Sequence, residues 1–326
     1  MRLPARLVVL ALVCAALVPG AGIGAQVVPG PAPERPSPAV APEVRRPGPA
    51  DIIMPHITDG KDIEFPCIHG WGEWACHVTL PTWNVTIAGR TIDMAPTRHV
   101  VFMMLAALLS AGMLIFTARA HRRHSHEVGR PRGFAAGLEG VILFLRNQVY
   151  MPVLGPGGQR YVPFVLTLFF FILFCNVLGL VPYGATATGN IAVTATLAII
   201  TFFVVEAAGM RALGKGYLGT IVYWPHGMSV WMKIPLSIIL TPVELIGKFT
   251  KPFALAIRLF ANMTAGHVIV LALIGLIFTF GIYVFWAPFA MALGIMLLEI
   301  FIAFLQAFVF ALLAAVFIGQ IREAAH

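Results

Sequence analysis

The chain has 326 residues, of which 59% are hydrophobic and only 11% charged. A soluble domain carries about 25% charged residues, so a water-soluble fold of this length would lack polar surface. The net charge is +8, but the basic residues stand at the ends of apolar runs, which is the pattern of a membrane topology signal and excludes a nucleic-acid binder.

The N-terminus reads as a signal peptide over residues 1–25. Arg2 and Arg6 give a positive region, Leu7–Val18 a short apolar run, and Gly20–Ala25 a small-residue cleavage zone. The run is too short to cross about 30 Å of hydrocarbon; an uncleaved first helix is the alternative. Residues 26–97 form an external extension. Gln26–Ala50 is a Pro-rich tether. Asp51–Pro96, with Trp71, Trp74 and Trp83 among Thr, Val and Ile and a turn at Ala88-Gly89-Arg90, reads as a small β-rich appendage. In an exported segment Cys67 and Cys76 suit a disulfide. A zinc site from Cys67, His69, Cys76 and His77 is the alternative, although the spacing fits no standard finger. Cys175, in a later apolar run, reads as a packed apolar residue.

The membrane domain occupies residues 98–326. His99–Thr117 is a first span, and it runs into ARAHRRHSHEVGRPR, whose five arginines mark the cytoplasmic side. The histidines there (His121, His124, His126) read as part of a solvated basic loop before they read as metal ligands. Phe134–Tyr150, with Glu139, Arg146 and Asn147, is an interfacial amphipathic helix. Val162–Val181 and Asn190–Met210 are the second and third spans. Pro182–Gly189 is an uncharged outer loop, and Tyr217–Lys233 is an inner connection. Two long helices follow, from Thr241 to Ile282 and from Pro288 to Ile321, each about 50–60 Å at 1.5 Å per residue. Helices that long must tilt, bend or leave the bilayer. The count predicts an all-α polytopic membrane protein with about five membrane helices and one interfacial helix, the last two long and tilted, plus a small external N-terminal extension. The N-terminus lies outside and the C-terminus in the cytoplasm.

Arg258 is the anomaly. An arginine near mid-bilayer costs about 2.5–3.5 kcal/mol on insertion scales, and it cannot shed its proton as a lysine can. At about 100° per residue, Glu244, Lys251, Arg258 and Asn262 share one face of their helix, and His267 points the opposite way. On the last helix Glu299 and Gln306 share a face. If Arg258 and Gln306 lie at equal depth, His267 sits about 13 Å and Glu299 about 10 Å further out. A histidine and a carboxylate at similar depth can relay protons near neutral pH. Plainer readings stand beside these. Thr241-Pro242-Val243-Glu244 fits a capping box, Lys248 and Lys251 suit snorkelling, and Asn262 suits a helix–helix hydrogen bond. Within the chain, Glu299 is the only obvious deep partner for Arg258, and its inferred depth differs by about two turns.

The segment LTPVELIGKFTKPFALAIRLFANMTAGH resembles the signature of subunit a of F-type ATP synthase. NVLGLVP at Asn176–Pro182, TGNIAVTATLA at Thr188–Ala198 and LEIFIAFLQAFVFALL at Leu298–Leu313 are similar to the same family. The resemblance spans about Arg98–Ile321 and omits the N-terminal extension. It implies a non-catalytic proton-channel stator in a bacterial inner membrane, without cofactor. Its implied partners are a c-subunit ring, the b subunits of a peripheral stalk and the rest of the F1Fo complex. By that resemblance Arg258 faces the c-ring and Gln306 sits near it. Some members carry an acid at the place of His267 and a histidine at that of Glu299. The implied proton path runs from outside along Asn190, His267 and Glu299, and leaves inward past Glu244. A secondary ion-coupled transporter with a midplane site between repeats is the rival, but the chain has no paired halves. No Walker-type GxxxxGK[ST] occurs.

Overall fold

The computed structural model describes residues 59–69, 73–81, 84–87, 90–93, 95–124, 133–181, 184–220 and 230–323. The expected leader and tether, at 1–25 and 26–50, lie outside the described residues. The extension contains two antiparallel hairpins. In the first, β1 (Asp62–His69) pairs with β2 (Glu73–Thr79), with Phe65 opposite Cys76 and a register break between Pro66 and His69. In the second, β3 (Asn84–Ile87) pairs with β4 (Arg90–Asp93), with Ile87 opposite Arg90. The side chains of Cys67 and Cys76 are outside the described ones, so the disulfide and zinc alternatives both fall there.

The appendage is tied to the first membrane helix, α1 (Arg98–His124). The Arg98 N–H, an orphan donor at a helix start, donates to the Gly60 carbonyl at 2.9 Å, and Leu80 N–H donates to Lys61 O at 2.8 Å. The Asp59 carboxylate lies 2.6 Å from His99 Nδ1. Burial alone would raise the Asp59 pKa, but the hydrogen bond and charge of His99 outweigh it and hold the carboxyl below its usual value of 3.8. α1 buries Met103, Ala106, Ser110 and Thr117 on a helical stripe. The two hydroxyls are satisfied by carbonyls one turn back, Ser110 on Ala106 O and Thr117 on Met113 O.

The interfacial helix α2 (Phe134–Phe144) widens into a π turn at Leu145–Tyr150 and ends in a short α3 (Met151–Leu154). The π turn spaces Leu145 and Tyr150 five residues apart and buries both. α4 (Val162–Leu180) is apolar all round and sits at the centre, with Val165, Phe169, Ile172 and Asn176 enclosed. α5 (Ile191–Leu213) starts at Asn190, whose Oδ1 accepts from the Ala192 N–H at 2.9 Å. α6 (Val230–Phe280) and α7 (Trp286–Glu323) form the long antiparallel pair. Gly281, at φ +77, ends α6, and its N–H donates to Ile277 O.

α6 starts eleven residues before the expected Thr241, and Pro235, Pro242 and Pro252 lie inside it. The connection predicted to extend to Lys233 therefore ends earlier, and Thr241–Glu244 is no helix start. Prolines remove single backbone bonds, which a membrane helix tolerates where neighbours compensate. The capping-box role for Glu244 is thus overturned.

α7 reaches α4 through small side chains. Ala303, Ala307, Ala311 and Ala315 recur every fourth residue and are fully buried, which lets the backbones approach closely. The row continues to Gly319, where a Cβ would strike the Val153 carbonyl. Next to it Arg322 donates to Leu154 O and Pro156 O, capping the end of α3. Outside the buried row α7 presents Leu297, Ile300, Phe301 and Phe304, all exposed.

A lowered Asp59 pKa stabilises the docked appendage at pH values above the ordinary carboxylate pKa. That stabilisation is lost as pH falls through the folded-state pKa. Hydrogen exchange corrected for intrinsic rates is expected to show the Arg98 and His99 amides protected at pH 7 and less protected near pH 3. In Asp59→Asn this pH dependence should vanish; its persistence would refute the pairing.

Candidate functional site

Glu244, Lys251, Arg258 and Asn262 all lie exposed along α6, beside the buried stripe of Leu255, Leu259 and Met263. Arg258 has no hydrogen bond or ion pair among the described residues, and Glu299 is not its partner. Around it α6 exposes Phe253 and Ile257. The surface thus carries a permanent charge on an apolar helix, with no compensating group among the described residues.

The α6–α7 register is marked by a half-buried amide contact. Asn262 Nδ2 donates to Gln306 Oε1 at 3.0 Å, and Gln306 is 1% exposed. Asn262, not Arg258, therefore lies level with Gln306. Arg258 stands about 6 Å, one turn, further from the joined end of the two helices, which corrects the equal-depth assumption. The reason is local: the short amide of Asn262 meets the glutamine across the interface, whereas the guanidinium is directed to the exposed side.

Glu299 is buried at 5% exposure and packs against Gly266. A Cβ at 266 would collide with that carboxyl group, its Cδ lying 2.9 Å from where the atom would stand. His267 is the next residue and is half-buried. The glycine is what lets a carboxylate side chain into this part of the interface.

Further polar groups gather on the same end of the bundle. Asn176 on α4 donates to Ala303 O at 3.2 Å and accepts from Thr188 Oγ1 at 2.6 Å. Thr188 belongs to the tight turn Ala187–Gly189 that precedes Asn190. Gly189 in that turn faces Thr264 of α6, which would lie 3.9 Å from a Cβ there. Thr186 Oγ1, Thr264 Oγ1, Glu299 Oε1 and Gln306 Nε2 are buried with no hydrogen-bond partner among the described residues. Buried polar atoms are costly unless paired, so their recurrence in one region is a feature of the site. Asn190, through its Oδ1, caps α5.

At the other end a cleft of about 260 Å³ opens between α5, α6 and α7, and Glu206, Glu244, Lys248, Lys251 and Gln320 line it. Lys248 Nζ meets Glu206 Oε2 at 3.4 Å and Thr220 Oγ1 at 3.1 Å, over the Tyr217 ring at 4.8 Å. Lys251 Nζ lies 5.3 Å from the Phe317 ring centre. Lys248 is thus an ion-paired side chain and not merely a snorkelling one. Sequence reasoning gave no individual role to Glu206, Asn176, Thr186 or Thr188. The usable signal was an acid or amide inside an apolar run, which marks Glu206 and Asn176; Thr186 and Thr188 carry no such mark.

A family model described as ATP synthase A chain matches residues 100–319. Among curated proteins, "ATP synthase subunit a" of Anaeromyxobacter dehalogenans (strain 2CP-1) is 43% identical over 272 residues, covering 82% of this chain and 68% of that protein. The protein of the same name from Chloroherpeton thalassium is 46% identical over 268 residues, 81% of this chain and 74% of its own. "ATP synthase subunit a 2" of Chlorobaculum tepidum is 43% identical over 274 residues, with 83% and 72% covered.

The Gly266–Glu299 contact makes a steric prediction. Gly266→Ala should destabilise the detergent-purified protein by about 1–3 kcal/mol, the usual cost of overpacking. Shortening the acid in the same chain, as Gly266→Ala with Glu299→Asp, should restore most of the melting temperature. Equal melting of the single and double variants, both below wild type, would refute the contact.

Proposed function

This chain belongs to the ATP synthase A chain family, and we propose that it is the proton-channel stator of an F-type ATP synthase. On this reading it supplies two half-channels that load and unload protons on a rotating ring of c subunits. The observation that carries the reading is Arg258: a permanent charge in a membrane helix, exposed, with no partner among the described residues. Such a charge needs a carboxylate from a partner, and a ring of c subunits brings one carboxylate after another.

The outer half-channel runs from the joined end of α6 and α7 along Asn190, His267 and Glu299. The Oδ1 of Asn190 is used in the cap, leaving its Nδ2 for the path. The unpartnered atoms of Thr186, Thr264, Glu299 and Gln306 suit water molecules with several polar partners each. A proton delivered there neutralises a c-subunit carboxylate, which can then rotate into lipid. On the other side of Arg258 a carboxylate loses its proton inward through the cleft past Glu244. Arg258 attracts the deprotonated carboxylates and blocks a direct leak. Asn262 and Gln306 brace the interface beside it. The membrane potential adds about 2.3 kcal/mol per charge per 100 mV.

The protein is a multi-pass membrane protein, and five helices among the described residues are long and apolar enough to span. The basic ends at Arg119, Arg211 and Arg322 would all face the cytoplasm, with the appendage outside and residues 1–25 as a leader. Its partners would be the c-ring, the peripheral-stalk b subunits and the rest of F1Fo. It would carry no ATP chemistry of its own.

In liposomes under an imposed proton gradient, assembled complexes with Arg258→Ala should make no ATP, and passive proton leak should persist or rise. Arg258→Lys should also fail, because lysine is a hydrated point charge that can deprotonate when desolvated. Near wild-type synthesis by Arg258→Ala would overturn the assignment.

The relay makes a separate prediction. Exchanging the pair, His267→Glu with Glu299→His, should retain more proton flux than either single change. Flux no better than in the worse single variant would count against pairing.

A further inference from the structure

Glu244 and Lys248 are separated by four residues on α6, acid first. This is the favoured order for a helical ion pair. The structure does not make that pair. Lys248 turns across to α5, where Glu206 Oε2 lies at 3.4 Å, and to Thr220 Oγ1 at 3.1 Å. Glu206 and Lys248 are each only 12% exposed. Glu244 lines the same cleft, is exposed, and has no hydrogen bond or ion pair among the described residues.

We propose that Glu206 is a positioning residue of the inner half-channel: it captures Lys248 and so keeps the Glu244 carboxylate free to take the departing proton. The inference rests on the reading of Glu244 as the inner exit. The physical argument is competition for one ammonium group. A lysine at the mouth of a cleft of about 260 Å³ has two carboxylates within reach, one local and one across the helix interface. The interhelical one is better placed, because Thr220 and the Tyr217 ring complete the ammonium's surroundings on that side. Removing Glu206 returns Lys248 to its i−4 neighbour. Glu244 is then held in an ion pair, which disfavours its protonation and takes it out of the path.

The test uses the assembled complex in liposomes and a water-soluble carbodiimide, which joins a paired carboxylate and amine as an amide readable by mass spectrometry. Wild type should give a Lys248–Glu206 cross-link. Glu206→Gln should give a Lys248–Glu244 cross-link instead, and proton-driven ATP synthesis should fall about 100-fold, the low end of the effect of a lost proton-transfer group. Glu206→Asp should recover most of the rate. So should Glu206→Gln combined with Lys248→Met, where no ammonium remains to capture Glu244. The proposal is overturned if Glu206→Gln yields no Lys248–Glu244 cross-link. It is overturned equally if the Lys248→Met change restores nothing, or if the Glu206→Gln rate is unchanged while Glu244→Gln is inactive. An unchanged rate in both Glu206→Gln and Glu244→Gln, with the cross-link moved, overturns the exit reading itself.

Discussion

An arginine that cannot give up its proton stands exposed on α6, with no partner among the described residues. A charge of this kind is tolerated in a bilayer only where a counter-charge or water reaches it. The chain's own buried acid, Glu299, packs against Gly266. A second acid in a membrane helix, Glu206, is paired with Lys248. A third, Glu244, lies on α6 itself, about 21 Å of helix away from Arg258. On the proposed reading the guanidinium is therefore left for a partner.

The packing explains how polar groups survive beside so apolar a core. α7 has two distinct sides. The alanine row from Ala303 to Ala315 buries its backbone against α4, a dry contact needing no polar partners. Glu299 and Gln306 are also buried, but at the seam with α6, where Gly266 and Asn262 meet them. Small residues give the helix its closeness on one side and make room for a carboxylate on the other. The turn Ala187–Gly189 then brings hydroxyls down onto this seam from α5. Its rigidity comes from the Asn176–Thr188 hydrogen bond in the core and the Asn190 cap.

The spans were legible in the sequence because apolar runs bounded by arginines are a strong signal in lipid. The start of α6 was not. The Thr241-Pro242-Val243-Glu244 order looked like a cap; that rule comes from water, where a free backbone donor at a helix start has solvent as an alternative. The shared face of Glu244, Lys251, Arg258 and Asn262 followed from helical spacing alone, and in the structure all four lie exposed along α6. The depth of one helix against the other did not follow, because it is set by side-chain contacts such as Asn262–Gln306 that periodicity does not encode. Gly266 illustrates the limit: its consequence is the space it leaves for Glu299, which helical spacing does not show.

The arrangement also bears on why such a path would not short-circuit. The unpartnered polar atoms at Thr186, Thr264 and Glu299 lie toward the joined end of α6 and α7, and the cleft with Glu206, Glu244 and Lys248 lies toward the other. Between them, on the inner side of α6, stand Leu259 and Met263, with Leu255 at the wall of the cleft, each buried at 2% exposure or less. A chain of water needs polar partners along its length, and these side chains offer none. On the proposed reading, a proton passing from one region to the other inside the subunit meets a dry aliphatic block. Passing along the outer surface, it meets the fixed positive charge of Arg258. Two different barriers, one of desolvation and one of charge, then leave the partner's moving carboxylate as the only low-cost carrier.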